Sequence, residues 1–600
     1  MKPVCLLMLL FTLMLACSPS KKEDEKADQG PAFDSLLAQY HEERFKFYPL
    51  DATLAGDNRY NDTLPNDISS DYREALRIFY ARYREQLESF DRNILTENQR
   101  LSYDVLLREC DINTAGLAFK DYLMPINQFS SLPLYIGQMA SGQSFQPFKT
   151  VKDYENWLSR LDDYLAWCDT AIVNMKKGKK EGYVLPKALA KKIVPQFKNF
   201  DHGPVESHLF YAPVKNIPAD FSGEDKERIT KSYADFITNR IIPTYKELSQ
   251  FLEKEYLPSC RESSGISALP NGKELYTHLI RYYTTTNSSP EEIFELGKSE
   301  VDRITKEMET VKEQVGFRGD LKSFFVHLRT MKELTPFTSA DQVIAHFNDI
   351  HERMKPNLEK LFDKKPKTPF EVRRTEAFRE ASASAEYNPG SLDGTRPGIF
   401  YVPVPDAKKY NILSDEDLFL HEAIPGHHYQ ISLMQENKDL PAFRKLLYNS
   451  AYVEGWALYT ESLGKELGLY TDPYQYFGML SAEMHRAIRL VVDAGMHTQG
   501  WTREQAILYS LDHEAETEDD VVPEIERYMA IPGQALSYKI GQLKIRALRT
   551  KAENELGDKF VIGQFHNQIL DSGSLPLNVL EDKVDRWIAS LKTPVENANQ

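Results

Sequence analysis

The stretch His421-Glu422-Ala423-Ile424-Pro425-Gly426-His427-His428 holds the residue types of a catalytic zinc site. Neutral imidazoles can hold the ion, and a carboxylate beside them can take a proton from the water it activates. In the usual His-Glu-x-x-His helix the two ligands lie four residues apart on one face. Here the fourth position after His421 is Pro425, which cannot ligate. His427 and His428 follow six and seven residues on, roughly 9 to 10 Å along a helix axis. Two metal bonds of about 2 Å cannot span that gap from a regular helix. Pro425 has no amide for the His421 carbonyl, and Gly426 tolerates the backbone that results. The spacing therefore predicts a bulged or broken turn at 424–426 that returns one imidazole to His421. On geometry alone His427 and His428 qualify equally. A single histidine at a helix end is ordinarily structural. Three histidines and a glutamate within eight residues, after the apolar run Leu418-Phe419-Leu420, point to a metal instead.

A catalytic zinc takes three protein ligands and leaves a position for water. The segment Tyr452 to Glu461 offers Glu454 and Glu461, seven apart and so on one helix face. Glu454 is the expected third ligand, with Gly455 allowing close backbone approach, and Glu461 is expected to orient an imidazole. Farther on, Arg489, Asp493 and His497 stand in an apolar helix, where ionisable groups are costly unless paired or at work. Glu526 to Tyr538 combines a Pro532-Gly533 break with the phenols Tyr528 and Tyr538. Attack on an amide carbonyl builds charge on oxygen, for which His497, Tyr528 or Tyr538 could donate. Arg396, Tyr401, Arg489, Arg527 and Gln534 are the candidates for holding substrate, and Arg489 or Arg527 would suit a substrate carboxylate. The acidic run Asp512 to Asp520 reads as a solvated loop.

The elements that must position these residues are mostly helical. From Ala32 to about Lys367 apolar residues recur three and four apart, with breaks at 64–67, 177–182, 216–218 and 286–290. The last break is also a helix start, with Glu291 and Glu292 in its first turn. Gly297-Lys298-Ser299 lacks the earlier glycine of a phosphate loop and lies in helical sequence. Turn residues crowd 387–398, and Ile399 to Val404 reads as a strand that Pro403 would confine to a sheet edge, where an extended peptide could pair. The expectation is an all-α fold with a small β element near 399–404. Its domain (32–595) would comprise an N-terminal lobe, about 32–370, and a metal-site lobe, about 371–595, around a deep cleft.

Met1 to Cys17 has the pattern of an export signal, Lys2 then an apolar run, and Leu13-Met14-Leu15-Ala16-Cys17 resembles a bacterial lipoprotein signal with Cys17 lipidated. Residues 18–31 read as a flexible tether. Ser18, by resemblance to lipoprotein sorting, implies the outer membrane. No later segment is apolar enough to span a bilayer. The formal charge of -16 argues against nucleic acid. Cys110, Cys168 and Cys260 have no metal-like spacing and read as packing residues.

The sequence resembles the bacterial family catalogued as domain of unknown function 885. The landmarks are Arg396-Pro397-Gly398, His421-Glu422-x-x-Pro425-Gly426-His427, Glu454-Gly455-Trp456-Ala457-Leu458-Tyr459, Asp493-x-Gly495-x-His497, Arg527-Tyr528, Pro532-Gly533-Gln534-Ala535 and Gly573-Ser574-Leu575-Pro576-Leu577. The family is similar to helical zinc peptidases. That resemblance implies one zinc ion on His421, His427 and Glu454, with Glu422 as general base and a peptide as substrate. The alternative expectation is an exported helical binding lipoprotein whose zinc site is structural or degenerate.

Overall fold

A computed structural model describes residues 28–376, 380, 383–391 and 396–592. The export signal, Cys17 and the tether up to residue 27 lie outside the described residues. Among those described, no helix is long and apolar enough to cross a membrane.

The chain is mostly helical with one small sheet. The helix start expected near 290 is present: in α1 (Pro290–Gln314) Ser289 and Glu292 form a reciprocal capping box. The long helix Val151–Glu181 runs through Gly178 and ends at Gly182, which adopts φ +83°. Buried apolar side chains form two clusters. The smaller draws on residues 64–260. The larger joins the first helices to everything from Ile266 to Ile588, so it crosses the expected lobe boundary near 370. Cys110, Cys168 and Cys260 are free and buried, consistent with packing roles.

The sheet has β1 (Phe370–Arg374), β2 (Glu386–Asn388) and β3 (Gly398–Val402) in the order β1-β3-β2. β3 pairs parallel with β1 and antiparallel with β2, so it is the central strand and not the edge that the sequence suggested. Pro403 falls one residue beyond the last ladder position and removes no sheet hydrogen bond. Among the described residues β1 and β2 are the two edge strands.

Six helices build the site region: α2 (Asp415–Glu422), α3 (His427–Glu436), α4 (Ser450–Glu461), α5 (Pro473–Thr498), α6 (Glu518–Ala530) and α7 (Leu536–Leu556). Glycines set the closest crossings. A Cβ on Gly455 of α4 would lie 2.4 Å from Gly541 Cα of α7, and one on Gly297 of α1 would lie 2.7 Å from Leu490 Cβ of α5.

Candidate metal centre

α2 opens on Asp415, Glu416 and Asp417, acids placed where the helix N-terminus favours negative charge. The Tyr410 hydroxyl donates to Asp415, and the Tyr470 amide to Glu416. α2 stops at Glu422. Ala423 (φ −105°, ψ −105°) and Gly426 (φ −73°, ψ −127°) leave helical geometry, and the Ile424–Pro425 peptide is cis. A Cβ on Gly426 would fall 1.9 Å from the His421 carbonyl oxygen, which restricts the position to glycine. Helix α4 satisfies carbonyls beside the break: Trp456 Nε1–H donates to Pro425 O and Thr460 Oγ1–H to Leu420 O, both at 2.9 Å.

The broken turn folds α3 back so that the rings of His421 and His427 meet with centroids 4.9 Å apart at 87°. Glu454, on α4, faces both: its Oε2 is 3.8 Å from His421 Nε2 and 3.7 Å from His427 Nε2. One ligand atom from each of the three residues lies within 4.8 Å of the others, a group that could hold a metal ion. Tetrahedral bonds near 2.0 to 2.2 Å put ligand atoms about 3.3 to 3.6 Å apart, so small adjustments suffice. His428, the other sequence candidate, turns toward the sheet. Its Nδ1 lies 2.9 Å from the Tyr387 hydroxyl, and its ring packs 4.9 Å from Phe370.

Burial keeps the imidazoles neutral, pushing His421 down to about 3 and lowering His427 as well. Burial alone would raise Glu454, but His427 and His421 outweigh it and hold that carboxyl below its usual range. Two neutral imidazoles and a carboxylate are the donor set a divalent ion takes. The surroundings fix their orientation. His421 Nδ1–H donates to Glu461 Oε1 at 2.6 Å, leaving Nε2 for the cage, and the Tyr448 hydroxyl donates to Glu454 Oε1 at 2.7 Å. Behind Glu461 stands Asp417, and burial drives both carboxyls upward.

Glu422 sits beside the cage. Its Oε1 is 4.0 Å from His421 Nε2, and its Oε2 accepts the Tyr387 amide hydrogen at 3.0 Å. Burial, with the charge of Glu454 adding to it, raises this carboxyl to about 7. The four residues open on a cleft of about 520 Å³, whose walls include Arg486, Arg489, Arg527 and Tyr538 from α5, α6 and α7, and Ser384 and Ala385 leading into β2. Arg489 donates to the Tyr528 hydroxyl at 2.9 Å and to Glu524 at 3.1 Å, and its guanidinium lies 4.6 Å over the Tyr538 ring. Arg527 donates to Gln534 Oε1 at 2.8 Å.

Other sequence candidates are not brought to this cleft. His497 is buried with Nδ1 accepting from the Ile266 amide at 3.0 Å and Nε2–H donating to the Tyr528 carbonyl at 3.1 Å. It is a bracket between segments, and the apolar helix that flagged it houses it for that reason. The Tyr528 hydroxyl is occupied by Glu524 and Arg489 behind the wall. Gln534 supports Arg527 without lining the cleft. Exposed Arg396 and β3 residue Tyr401 also lie outside the lining. The run Asp512 to Asp520 is not simply a solvated loop: buried Glu514 holds His485 at 2.6 Å, and Glu516 and Asp520 line the cleft. Sequence reading missed Tyr448 and Tyr387. The first is a lone tyrosine in an unremarkable turn, and the second acts through its backbone.

The family profile described as "Bacterial protein of unknown function (DUF885)" matches residues 49–584. Comparison with curated proteins found no match. A crystal structure of a protein from Colwellia psychrerythraea, described as a candidate lipoprotein, is similar at 28% identity and a TM-score of 0.83, over 93% of this chain and 99% of that one. A Shewanella oneidensis structure, described as a candidate lipoprotein of unknown function, shares the fold at 19% identity and a TM-score of 0.74, over 92% of this chain and 99% of that one.

Proposed function

We propose that this chain, which belongs to the DUF885 family of bacterial proteins, is an exported, lipid-anchored, zinc-dependent hydrolase that cleaves peptide bonds. The reading rests above all on the His421–His427–Glu454 group with Glu422 at its side. A zinc ion held there supplies a Lewis acid that polarises a carbonyl and makes water a nucleophile near neutral pH. Glu422, whose Oε1 is 4.0 Å from His421 Nε2, would take a proton from water activated there and return it to the leaving amine. The Tyr387 amide holds one Glu422 oxygen in place and leaves the other facing the cage side. Tyr538, on the cleft wall with Arg489 and Arg527 beside it, would donate to a developing oxyanion. β2, an edge strand continuous with Ser384 and Ala385 of the cleft, would flank an extended peptide lying in it. Export and anchoring are supported by the Cys17 signal pattern and by the lipoprotein description of the similar structures.

The test is Glu422→Gln. This variant is expected to retain one zinc per chain by elemental analysis and to lose about 10²- to 10⁴-fold in the rate of cleaving a peptide library. Undiminished cleavage with zinc still bound would end the proposed mechanism.

A further inference from the structure

A second cavity, of about 420 Å³, opens where the first helices of the chain meet the end of α6. It shares that helix with the metal cleft: Glu524 and Arg527 line the cleft, while Met529, Ala530, Ile531 and Pro532 line the cavity. From Glu524 to Ile531 is roughly 10 Å at the helical rise, the length of about three extended peptide residues.

Exposed aromatic side chains stand beside both. Among the described residues the large hydrophobics that stay exposed include four aromatics, Tyr448 at 63%, Phe129 at 48%, Tyr135 at 47% and Tyr282 at 45%. Tyr448 touches Glu454 of the cage. Phe129 lies under the Arg527 guanidinium, 5.1 Å from it. Tyr135 is bonded to Ser130 at 3.0 Å and is close enough to Tyr283 of the cavity wall to perturb its hydroxyl. Tyr282 lines the cavity itself. Each of the four stands beside a residue of the cleft or of the cavity, and exposed aromatics so placed mark a binding surface.

The cavity wall selects by chemistry. Ile112, Met124, Leu279 and Ile531 give it a mainly apolar lining, with Asn113, Asp121 and His278 also on the wall. The two arginines that reach it are already matched, Arg73 to the carbonyls of Leu117 and Phe119 and Arg261 to those of Val184 and Gly265. We infer that this cavity is a distal subsite of the metal cleft, taking an aromatic or large apolar side chain of a peptide whose scissile bond lies at least three residues away. The inference builds on the proposed peptidase reading. It makes the enzyme selective for peptides long enough to reach from the cage to the end of α6.

The test separates binding from turnover by using the full chain with zinc bound and Glu422→Gln in place. Fluorescein-labelled alanine octapeptides carrying one phenylalanine at each position in turn are titrated by anisotropy. One position is expected to tighten binding about tenfold, as burial of a phenyl ring would. Ala530→Trp, which fills the cavity, and Tyr282→Ser, which removes an aromatic from its wall, should each erase that preference. Where the wild type cleaves the favoured peptide, mass spectrometry should put the bond at least three residues from the phenylalanine. No preferred position, no binding, or a preference that survives both folded variants would overturn the subsite. Position-dependent binding that the variants abolish, with no cleavage by the wild type, would uphold the subsite and sink the hydrolase reading.

Discussion

Replacing His427 by alanine removes a nitrogen from the cage, whereas replacing His428 removes contacts with Tyr387, Ser432 and Phe370 outside it. His427→Ala should therefore lose stoichiometric zinc and His428→Ala should keep it, as elemental analysis after dialysis would reveal. Equal loss in both would mean that His428 also ligates. Glu461→Ala leaves His421 Nδ1 without its acceptor and should weaken zinc binding about 10- to 100-fold by competition with a chelating dye. At this scale the sequence was most informative. The clash of Pro425 with a regular helix, the demand for glycine at 426 and the two acids on one face of α4 all follow from covalent geometry. What it could not separate was His427 from His428, because a broken turn rotates each by an amount that spacing does not specify. Nor could it reveal Tyr387, whose contribution to Glu422 is a backbone amide that any residue type would carry.

Helices α4 and α7 cross at Gly455 and Gly541 with no room for a side chain. A Cβ on Gly541 would lie 1.9 Å from the Ala451 carbonyl oxygen. Gly541→Ala must push the two helices apart and should cost about 1 to 3 kcal/mol in denaturant unfolding. Because α4 carries Glu454, the same substitution should also weaken zinc binding, although residue 541 touches no ligand. The glycine in Glu454-Gly455-Trp456 hinted at this crossing, but its partner on α7 was invisible before folding. The sheet shows the converse failure. The apolar run Ile399 to Val404 was compatible with a buried central strand, and Pro403 argued for an edge. The proline proved to stand one step past the ladder, while the neighbouring strands 370–374 and 386–388 are too short and too polar to announce themselves. His497 was a misreading of the same kind: burial of an ionisable group signalled a cost, and two backbone partners rather than chemistry offset it.

At the scale of the whole molecule, a buried charge network ties α1, α5 and α7 together behind the site. Lys539, fully buried, lies 2.9 Å from Glu300 and 2.7 Å from Glu483, and Arg303 reaches both acids at 2.8 Å. Lys539→Met would leave Glu483 buried with much of its compensation gone, at about 3 to 5 kcal/mol in equilibrium unfolding. Burial opposes ionisation of Glu300, yet Arg303 and Lys539 prevail and bring its carboxyl down to about 2. A depressed carboxyl stabilises the fold above its unfolded value, near 4.5, and that contribution disappears as pH falls toward 2. Urea unfolding of the wild type should lose stability across that window, and Glu300→Gln should flatten the slope there. A variant with the wild-type slope would place the acid sensitivity elsewhere.

The three cage residues all come from one continuous run of chain, from the end of α2 to the first turns of α4. A chelator would therefore act first on this one stretch and reach the other helices only through their packing against it. Amide exchange should quicken between residues 415 and 461 and hold steady elsewhere, so the apoprotein would keep its shape while this one stretch breathes.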